Sequence, residues 1–518
     1  MKVDLHRKWL VTLTVMLSTV MASLDGSIVN VAMPVMRGSL GASTSEITWI
    51  ATAYMLANVV IMPAIAFLGS RFGRCRYFFW SVVLFGMGSA LCGLAWDMPT
   101  MIFSRVLQGI GGGALIPVSQ AILRETFPAE EQGKAMGIYG MGVVLGPALG
   151  PTLGGWLTDH FSWPWIFYIN VPFVLLNLFL IPVFLQDPPY LERTRGKIDA
   201  FGLALMAVGL SCLQIMLEKG QENDWFQSSF ILKLALVSVF ALALFVWWEL
   251  KIDRPAVRLR VLRNVPLATG TTLGAFFGMG LFGCLFLLPL FIQQVRGYSA
   301  MDAGLAMLPR SLAMAVSMPF AGRIYNRAGP RKMITSGLVM AAFSFFLLGR
   351  LAPQTSVWNL FLPQVVQGIA FGLIFVSLST ASLMTVDRRD MTAATGLYNL
   401  VRIIFGSVGI AAAATLLNRY TVTARVGLVR NITAVSDTAS SWLEGVKSSL
   451  VASGMDPVSA GTRALALLDA ALNRQAAVMA YNRVFLDVAL LFAACLPLVF
   501  LLRGGRPLEA GEKGIAGE

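Results

Sequence analysis

Fourteen apolar runs of about twenty residues each divide this chain, and each is long enough to cross a hydrocarbon core about 30 Å thick. They fall near residues 10–32, 48–68, 77–96, 102–123, 136–157, 165–185, 200–217, 230–250, 267–292, 304–323, 333–350, 359–384, 393–417 and 483–502. Lipid offers no hydrogen-bond partner to a backbone amide, so runs of this length are helices. The predicted fold class is an all-α polytopic membrane protein. Composition agrees: 56% of residues are hydrophobic and 13% charged, where a soluble domain has about a quarter charged. No soluble domain of ordinary size fits between the runs.

The net charge of +13 does not point to nucleic acid, because the basic residues gather in short loops between the runs. With the N-terminus inside, the even-numbered junctions hold Arg71, Arg74 and Arg76; Arg124 and Lys134; Arg193, Arg195 and Lys197; Lys251, Arg254, Arg258, Arg260 and Arg263; Arg327, Arg331 and Lys332; and Arg388 and Arg389. The short odd junctions hold few, such as Arg37, Lys219, Arg296 and Arg350. This asymmetry predicts that both termini are cytoplasmic. One long loop, about 420–481, then lies outside. Residues 1–8 carry Lys2, Arg7 and Lys8 and lead into no small-residue cleavage site, so the first run reads as a retained helix.

Other chemistries find little support. The five cysteines are scattered without a CxxC spacing, and the two histidines are too few for a histidine metal cluster. Gly111, Gly112 and Gly113 lack the Gly-Lys-Ser/Thr of a phosphate loop. No cofactor, metal or enzymatic activity is expected, and any work must draw on an ion or substrate gradient.

The chain repeats itself. Val106-Leu107-Gln108-Gly109-Ile110 matches Val365-Val366-Gln367-Gly368-Ile369 at a shift of 259, and Gly137-Ile138-Tyr139 matches Gly396-Leu397-Tyr398 at the same shift. Gly73-Arg74-Cys75-Arg76 matches Gly329-Pro330-Arg331-Lys332 at 256. Two six-helix halves are expected at 1–190 and 264–518, with two added helices and their linkers at 191–263. That is a transporter plan, with a site between the halves.

Within the fifth run, Gly142, Gly146, Gly150 and Gly154 recur every four residues and form a bare ridge on one helix face. A neighbouring helix can approach such a ridge closely. Pro147 and Pro151 each remove a backbone hydrogen bond and bend the helix. With Gly155, this pattern resembles motif C of the major facilitator superfamily. In that family the motif marks the fifth helix of exporters that work as antiporters.

Asp25, in Leu24-Asp25-Gly26-Ser27-Ile28-Val29-Asn30, interrupts the first run. An intramembrane carboxylate is functional by default, and it is a group that can carry a proton. The bland alternative is an acid close enough to the outer surface to be solvated. This stretch resembles motif D1 of fourteen-helix drug/proton antiporters. Arg105, followed by Gln108 and Gly109, resembles motif B, whose arginine that family uses for proton coupling. Its alternative is an arginine that snorkels to the outer edge. Ala66 to Arg76 resembles motif A, with Arg71, Gly73, Arg74 and Arg76 in place and Ser70 where the motif has its acid. Those arginines either take part in a latch or are only inside-anchoring charge. Candidate cavity groups are Asn30, Asn58, Gln120, Gln293, Gln294, Gln364 and Arg402, with Arg310 as a weaker candidate.

Trp163 to Pro172, Lys197 to Gly202 and Glu222 to Phe226 resemble the EmrB-type branch of the same superfamily. The likeness spans essentially the whole chain. It implies proton-coupled efflux of amphipathic drugs or toxic compounds across the bacterial inner membrane. It also implies a periplasmic adaptor of the EmrA type and an outer-membrane channel. Export of one endogenous product, such as a fatty acid or siderophore, is the near alternative. A uniporter or a non-transporting sensor are the distant ones. Within the long outer segment, Leu465, Leu468 and Leu472 share one helical face, which can pack on the transporter, lie on lipid or bind an adaptor.

Overall fold

A computed structural model describes residues 5–187, 199–252, 255–352, 356–430, 432 and 437–502. Lys2, Arg193, Arg195, Lys197 and Arg254 lie outside the described residues. Among those described, fourteen helical spans are long and apolar enough to cross a membrane. In the first half they are span 1 (Arg7–Ser39), span 2 (Ser45–Phe72), span 3 (Arg74–Gly93), span 4 (Met98–Thr126), span 5 (Gln132–His160) and span 6 (Trp165–Phe184). The added pair is span 7 (Ala200–Lys219) and span 8 (Ser229–Lys251). The second half has span 9 (Val265–Arg296), span 10 (Met301–Ala328), span 11 (Pro330–Leu348), span 12 (Trp358–Leu383), span 13 (Arg388–Arg430) and span 14 (Pro457–Val499). Spans 7 and 8 pack on each other, and span 7 leans on spans 2 and 13.

Local chemistry sets the boundaries. Asp97 caps span 4 by accepting from the Thr100 amide at 2.9 Å, with Pro99 in the first turn. Gly73 (φ 90°) breaks the chain between spans 2 and 3, and Gly329 (φ 77°) does so between spans 10 and 11. A side chain is strained at such a φ, so glycine stands at the same place in both repeats.

The halves meet backbone to backbone at the end that carries the Arg71–Arg76 loop. A Cβ on Gly133 of span 5 would fall 2.7 Å from the Gly322 carbonyl oxygen of span 10. One on Gly137 would fall 2.5 Å from the Met318 oxygen. Gly396 of span 13 sits as tightly on Met62 of span 2, at 2.9 Å. That end of the bundle is shut.

The expected loop 420–481 is largely helical instead. One continuous helix runs Met391–Arg430, another Pro457–Ala494, and a third, Asp437–Ala452, lies between them. At 1.5 Å per residue, the 40-residue helix extends to roughly 60 Å, about twice a bilayer core. The projecting parts hold each other through Arg425–Asp469 at 2.8 Å and through Tyr420 Oη, which donates to Asp487 at 2.9 Å. Their buried side is Ala460, Ala464 and Ala476, with Leu468 and Leu472 half-buried, while Leu465 points to solvent. Alanines rather than leucines let the paired helices close up, so the expected leucine face is only partly right.

The arginine loop does more than anchor. Arg74 is buried and donates to Glu125 at the end of span 4 at 2.6 Å. The Cys75 amide donates to Asp187 beyond span 6 at 2.7 Å. Ser70 Oγ donates to the Phe67 carbonyl, so the loop's carboxylate partner comes from span 4. Arg76 is exposed, as an anchoring charge would be. Glu125→Ala removes the counter-charge of a buried guanidinium and should cost on the order of 3 kcal/mol. The check is the apparent melting temperature in detergent; a wild-type value would show that the pair contributes nothing net.

Candidate functional site

Asp25 is fully buried in span 1, and Arg105 of span 4 is 1% exposed. Arg105 Nη1 donates to Asp25 Oδ2 at 2.7 Å. Neither side chain snorkels, and neither is solvated at an outer edge. A charge pair this deep persists only if other groups share its donors and lone pairs, and several do. Gln108 Nε2 donates to Asp25 Oδ1 at 2.7 Å, and Asn170 Nδ2 donates to the same oxygen at 3.2 Å. Arg105 also donates to Gln108 Oε1 at 2.7 Å and to the Ile50 carbonyl at 3.0 Å. Its guanidinium lies 4.5 Å over the Tyr54 ring, a placement that further favours the cation. Asn170 in turn donates to Ser89 at 3.0 Å, and Ser89 donates to the Phe167 carbonyl at 2.9 Å. Spans 1, 2, 3, 4 and 6 therefore converge on one carboxylate.

Gln108 follows from its place in the string after Arg105. Asn170 and Ser89 carry no sequence signal of their own. An uncharged polar residue in an apolar run looks the same whether it lines a site or caps a turn.

The glycine ridge lies directly behind this cluster. A Cβ on Gly146 would meet Ser23 Oγ at 2.3 Å and the Leu24 amide nitrogen at 2.4 Å. One on Gly150 would meet Ser27 Oγ at 2.0 Å, and one on Gly154 the Ile28 carbonyl oxygen at 2.9 Å. Gly142 faces the side chains of Met16 at 3.2 Å and Val20 at 3.5 Å, and Gly155 faces Val31 at 3.9 Å. Ser27 Oγ donates across to the Gly146 carbonyl at 3.0 Å and Ser23 Oγ to Gly142 at 3.5 Å. These carbonyls are one residue before the two that Pro147 and Pro151 release by lacking an amide hydrogen. Span 5 thus grips the segment of span 1 on either side of Asp25.

The second half carries the same frame with different chemistry. At the shift of 259, Asp25, Arg105 and Gln108 correspond to Cys284, Gln364 and Gln367. Gln364 donates to the Ala306 carbonyl at 2.8 Å, as Arg105 does to Ile50. Cys284 Sγ donates to Gln367 at 3.3 Å, and Arg310 Nη1 reaches Cys284 Sγ at 3.4 Å. A thiol stands where the first half has its carboxylate.

The remaining candidates divide. Gln120 is buried and accepts from Asn399 Nδ2 of span 13 at 2.7 Å, which joins the halves. Arg402 is buried one turn on and donates to Asn399 Oδ1 at 2.8 Å. Asn58 is spent on the Tyr54 carbonyl at 2.9 Å. Gln293 is half-buried, and Gln294 is exposed and accepts from Tyr481 at 3.1 Å, away from these groups. Asn30 is exposed on span 1, one turn past the open position Gly26.

The family model of the Major Facilitator Superfamily matches residues 15–410. The chain belongs to the major facilitator superfamily. It is a transporter by family rather than an enzyme. It is 37% identical to the multidrug export protein EmrB of Haemophilus influenzae over 401 residues, 77% of this chain and 78% of that one. It is 36% identical to EmrB of Escherichia coli K12 over 414 residues, 79% and 80% of the two chains. With the fatty acid resistance protein FarB of Neisseria gonorrhoeae it shares 32% identity over 504 residues, 97% of each. Among solved structures, a double-tryptophan mutant of XylE superposes with a TM-score of 0.60 at 15% identity, covering 96% of this chain and 98% of that one. The human organic anion transporter MFSD10 gives 0.57 at 17% identity, covering 94% and 99%. Both likenesses concern the fold alone.

Proposed function

We propose that this protein exports amphipathic drugs or toxic compounds across the bacterial inner membrane in exchange for protons. The observation that carries the reading is the carboxylate of Asp25, paired with Arg105, bonded by Gln108 and Asn170 and gripped from behind by span 5. Protonating Asp25 removes the negative charge that holds Arg105, Gln108 and Asn170 in place. Deprotonation restores it. The shell therefore has two states, and which one holds bears on how spans 1 and 4 pack. Because Leu24 and Ser27 sit against the ridge, a shift of span 1 is passed to span 5, whose other end seals against span 10. Proton occupancy and the gate between halves are thereby linked.

The relatives named EmrB support a drug as the substrate. The FarB match, which spans both chains almost whole, favours a fatty acid as the second reading. Counterflow in proteoliposomes, with and without an imposed pH difference, tests the proposal. Proton-driven accumulation above the counterflow level is expected. Equal transport in both conditions would indicate a uniporter.

On this reading both termini are cytoplasmic and the projecting helices of spans 13 and 14 are periplasmic, where they form the docking surface for an EmrA-type adaptor leading to an outer-membrane channel. Support comes from the length of these helices and from exposed Val422, Val426, Leu465 and Leu467 along them. Replacing 425–475 by a short Gly/Ser linker should abolish crosslinking to a co-expressed adaptor and cellular resistance. Proton-linked transport in proteoliposomes should persist. Retained resistance would remove the hairpin from the export path.

A further inference from the structure

Between the halves lies a buried cation with no carboxylate. Arg402 of span 13 is 6% exposed. Among the described residues no Asp or Glu forms an ion pair with it. Arginine does not deprotonate in proteins, so this positive charge is held out of water uncompensated. Its guanidinium donates to Asn399 Oδ1 at 2.8 Å and lies 5.2 Å from the centre of the Phe375 ring of span 12. Among the described residues the guanidinium Nε has no partner, and neither does the buried hydroxyl of Tyr398. Tyr398 stands four residues, about one turn, before Arg402 on the same helix.

A structural role does not account for this group. The bond that joins the halves runs from Asn399 to Gln120 and does not pass through Arg402. Arg105, by contrast, is equally deep but has Asp25. Arg310 also lacks a carboxylate, but its nearest partner, Cys284, belongs to its own half. Arg124 of span 4 is likewise buried, with Nε and Nη1 idle and no carboxylate, and the Tyr325 hydroxyl is idle too, but Tyr325 packs into the seam where Gly133 and Gly322 bring the halves together backbone to backbone. Among the described residues, Arg402 combines an uncompensated cation, an idle donor of its own, an idle hydroxyl one turn away on span 13 and an aromatic ring from span 12 at a point where the halves are joined by side chains.

We propose that Arg402, held in place by Asn399, and Tyr398, beside the Phe375 ring, bind the carboxylate of an anionic amphiphile. This assignment rests on the export reading above and names its substrate class. A carboxylate accepts paired donations from a guanidinium and a third from a phenol, while the aromatic rings take the first methylenes of an apolar tail. Exchange of a monoanion for an inward proton moves net positive charge inward, so the membrane potential would assist expulsion of such a substrate.

The test uses the full chain in lipid nanodiscs, titrated calorimetrically with decanoate, decanol and decyltrimethylammonium, with empty nanodiscs subtracted. Decanoate should bind roughly tenfold or more tighter than the other two, as a charge-assisted pair is worth. Arg402→Gln should bring decanoate down to the decanol level. Tyr398→Phe removes a hydroxyl with no internal partner, so the fold is untouched, and should weaken decanoate severalfold without moving decanol. Equal affinity for decanoate and decanol, or a preference that survives Arg402→Gln, would overturn the assignment. Proton-driven export of the three probes from proteoliposomes is measured separately. Export of decyltrimethylammonium without any decanoate preference sinks the site alone. A decanoate preference without proton-driven export of any probe sustains the site and sinks the export reading.

Discussion

Asp25→Asn should lose proton-driven export while retaining substrate counterflow in the absence of a gradient. The asparagine is nearly isosteric, so the cavity shape survives. Its amide cannot take up and release the proton, which removes coupling whatever else remains. It also presents two hydrogens where Asp25 accepts from Arg105, Gln108 and Asn170. At least one of those donors then faces another donor. The guanidinium of Arg105 loses its counter-charge at 1% exposure, and breaking one side of a buried pair costs about 3–5 kcal/mol. Lost transport could therefore reflect lost folding, and a second variant separates the two. In Asp25→Asn with Arg105→Gln both charges are gone, and replacing a buried pair by neutral groups is often close to neutral in stability. The double variant should recover insertion and melting temperature but not coupling. The measurement is accumulation of a fluorescent substrate under an imposed pH difference. Continued accumulation against a gradient by Asp25→Asn would place the proton site elsewhere.

How much of this was legible in the sequence depends on the range of the physics. The spans are written locally, because the bilayer demands about twenty apolar residues in a row, and most fall within a few residues of their expected places, whereas spans 13 and 14 run on well past theirs into the projecting helices. The ridge is equally local, since a period of four needs no knowledge of the partner. Asp25 and Arg105 stand out because a charge in an apolar run is costly anywhere. What failed depends on distant contacts. Glu125 looks like a solvated acid at a helix end until Arg74 is brought to it. Asn170 reads as part of an interfacial aromatic string until span 6 packs on span 1. Asn30 and Asn58 are as polar as Gln120, yet only Gln120 meets the other half. The segment 420–481 shows the opposite error. Its polarity suggests a loop, but charge does not break a helix, and alanines at 460, 464 and 476 supply a packing face that hydrophobicity alone underrates. The repeat marked the homologous positions, although it could not say that a thiol at Cys284 leaves the second half without the first half's acid.

The ridge glycines should differ in what they tolerate, in an order set by what each added methyl would meet. Helix propensity favours alanine over glycine at all of them by up to about 1 kcal/mol, so any loss must come from packing. Gly146→Ala drives Cβ into the Leu24 amide nitrogen at 2.4 Å. A backbone atom cannot rotate away, so span 1 itself must move. Gly154→Ala meets the Ile28 carbonyl at 2.9 Å and should be next. Gly150→Ala ranks with it: the Ser27 hydroxyl, met at 2.0 Å, can turn aside only by giving up its donation to the Gly146 carbonyl, and the 2.9 Å contact with Ser27 Cβ remains whichever way it turns. Gly142→Ala needs only the flexible end of Met16 to shift, and Gly155→Ala has room already. Overpacking of this kind costs about 1–3 kcal/mol, too little to unfold a bundle of fourteen spans but enough to displace Asp25, the residue after Leu24. Gly146→Ala should therefore insert normally and lose most proton-driven efflux, and Gly146→Leu should lose all of it, with Gly155→Ala at the wild-type rate. The loss in Gly146→Ala should be larger under a pH difference than in counterflow, because the damage falls on the pairing of Asp25 with Arg105 rather than on the cavity. Equal efflux from Gly146→Ala and Gly155→Ala at matched expression would show that span 5 does not act on Asp25, and the link between proton and gate would have to run through span 4 instead.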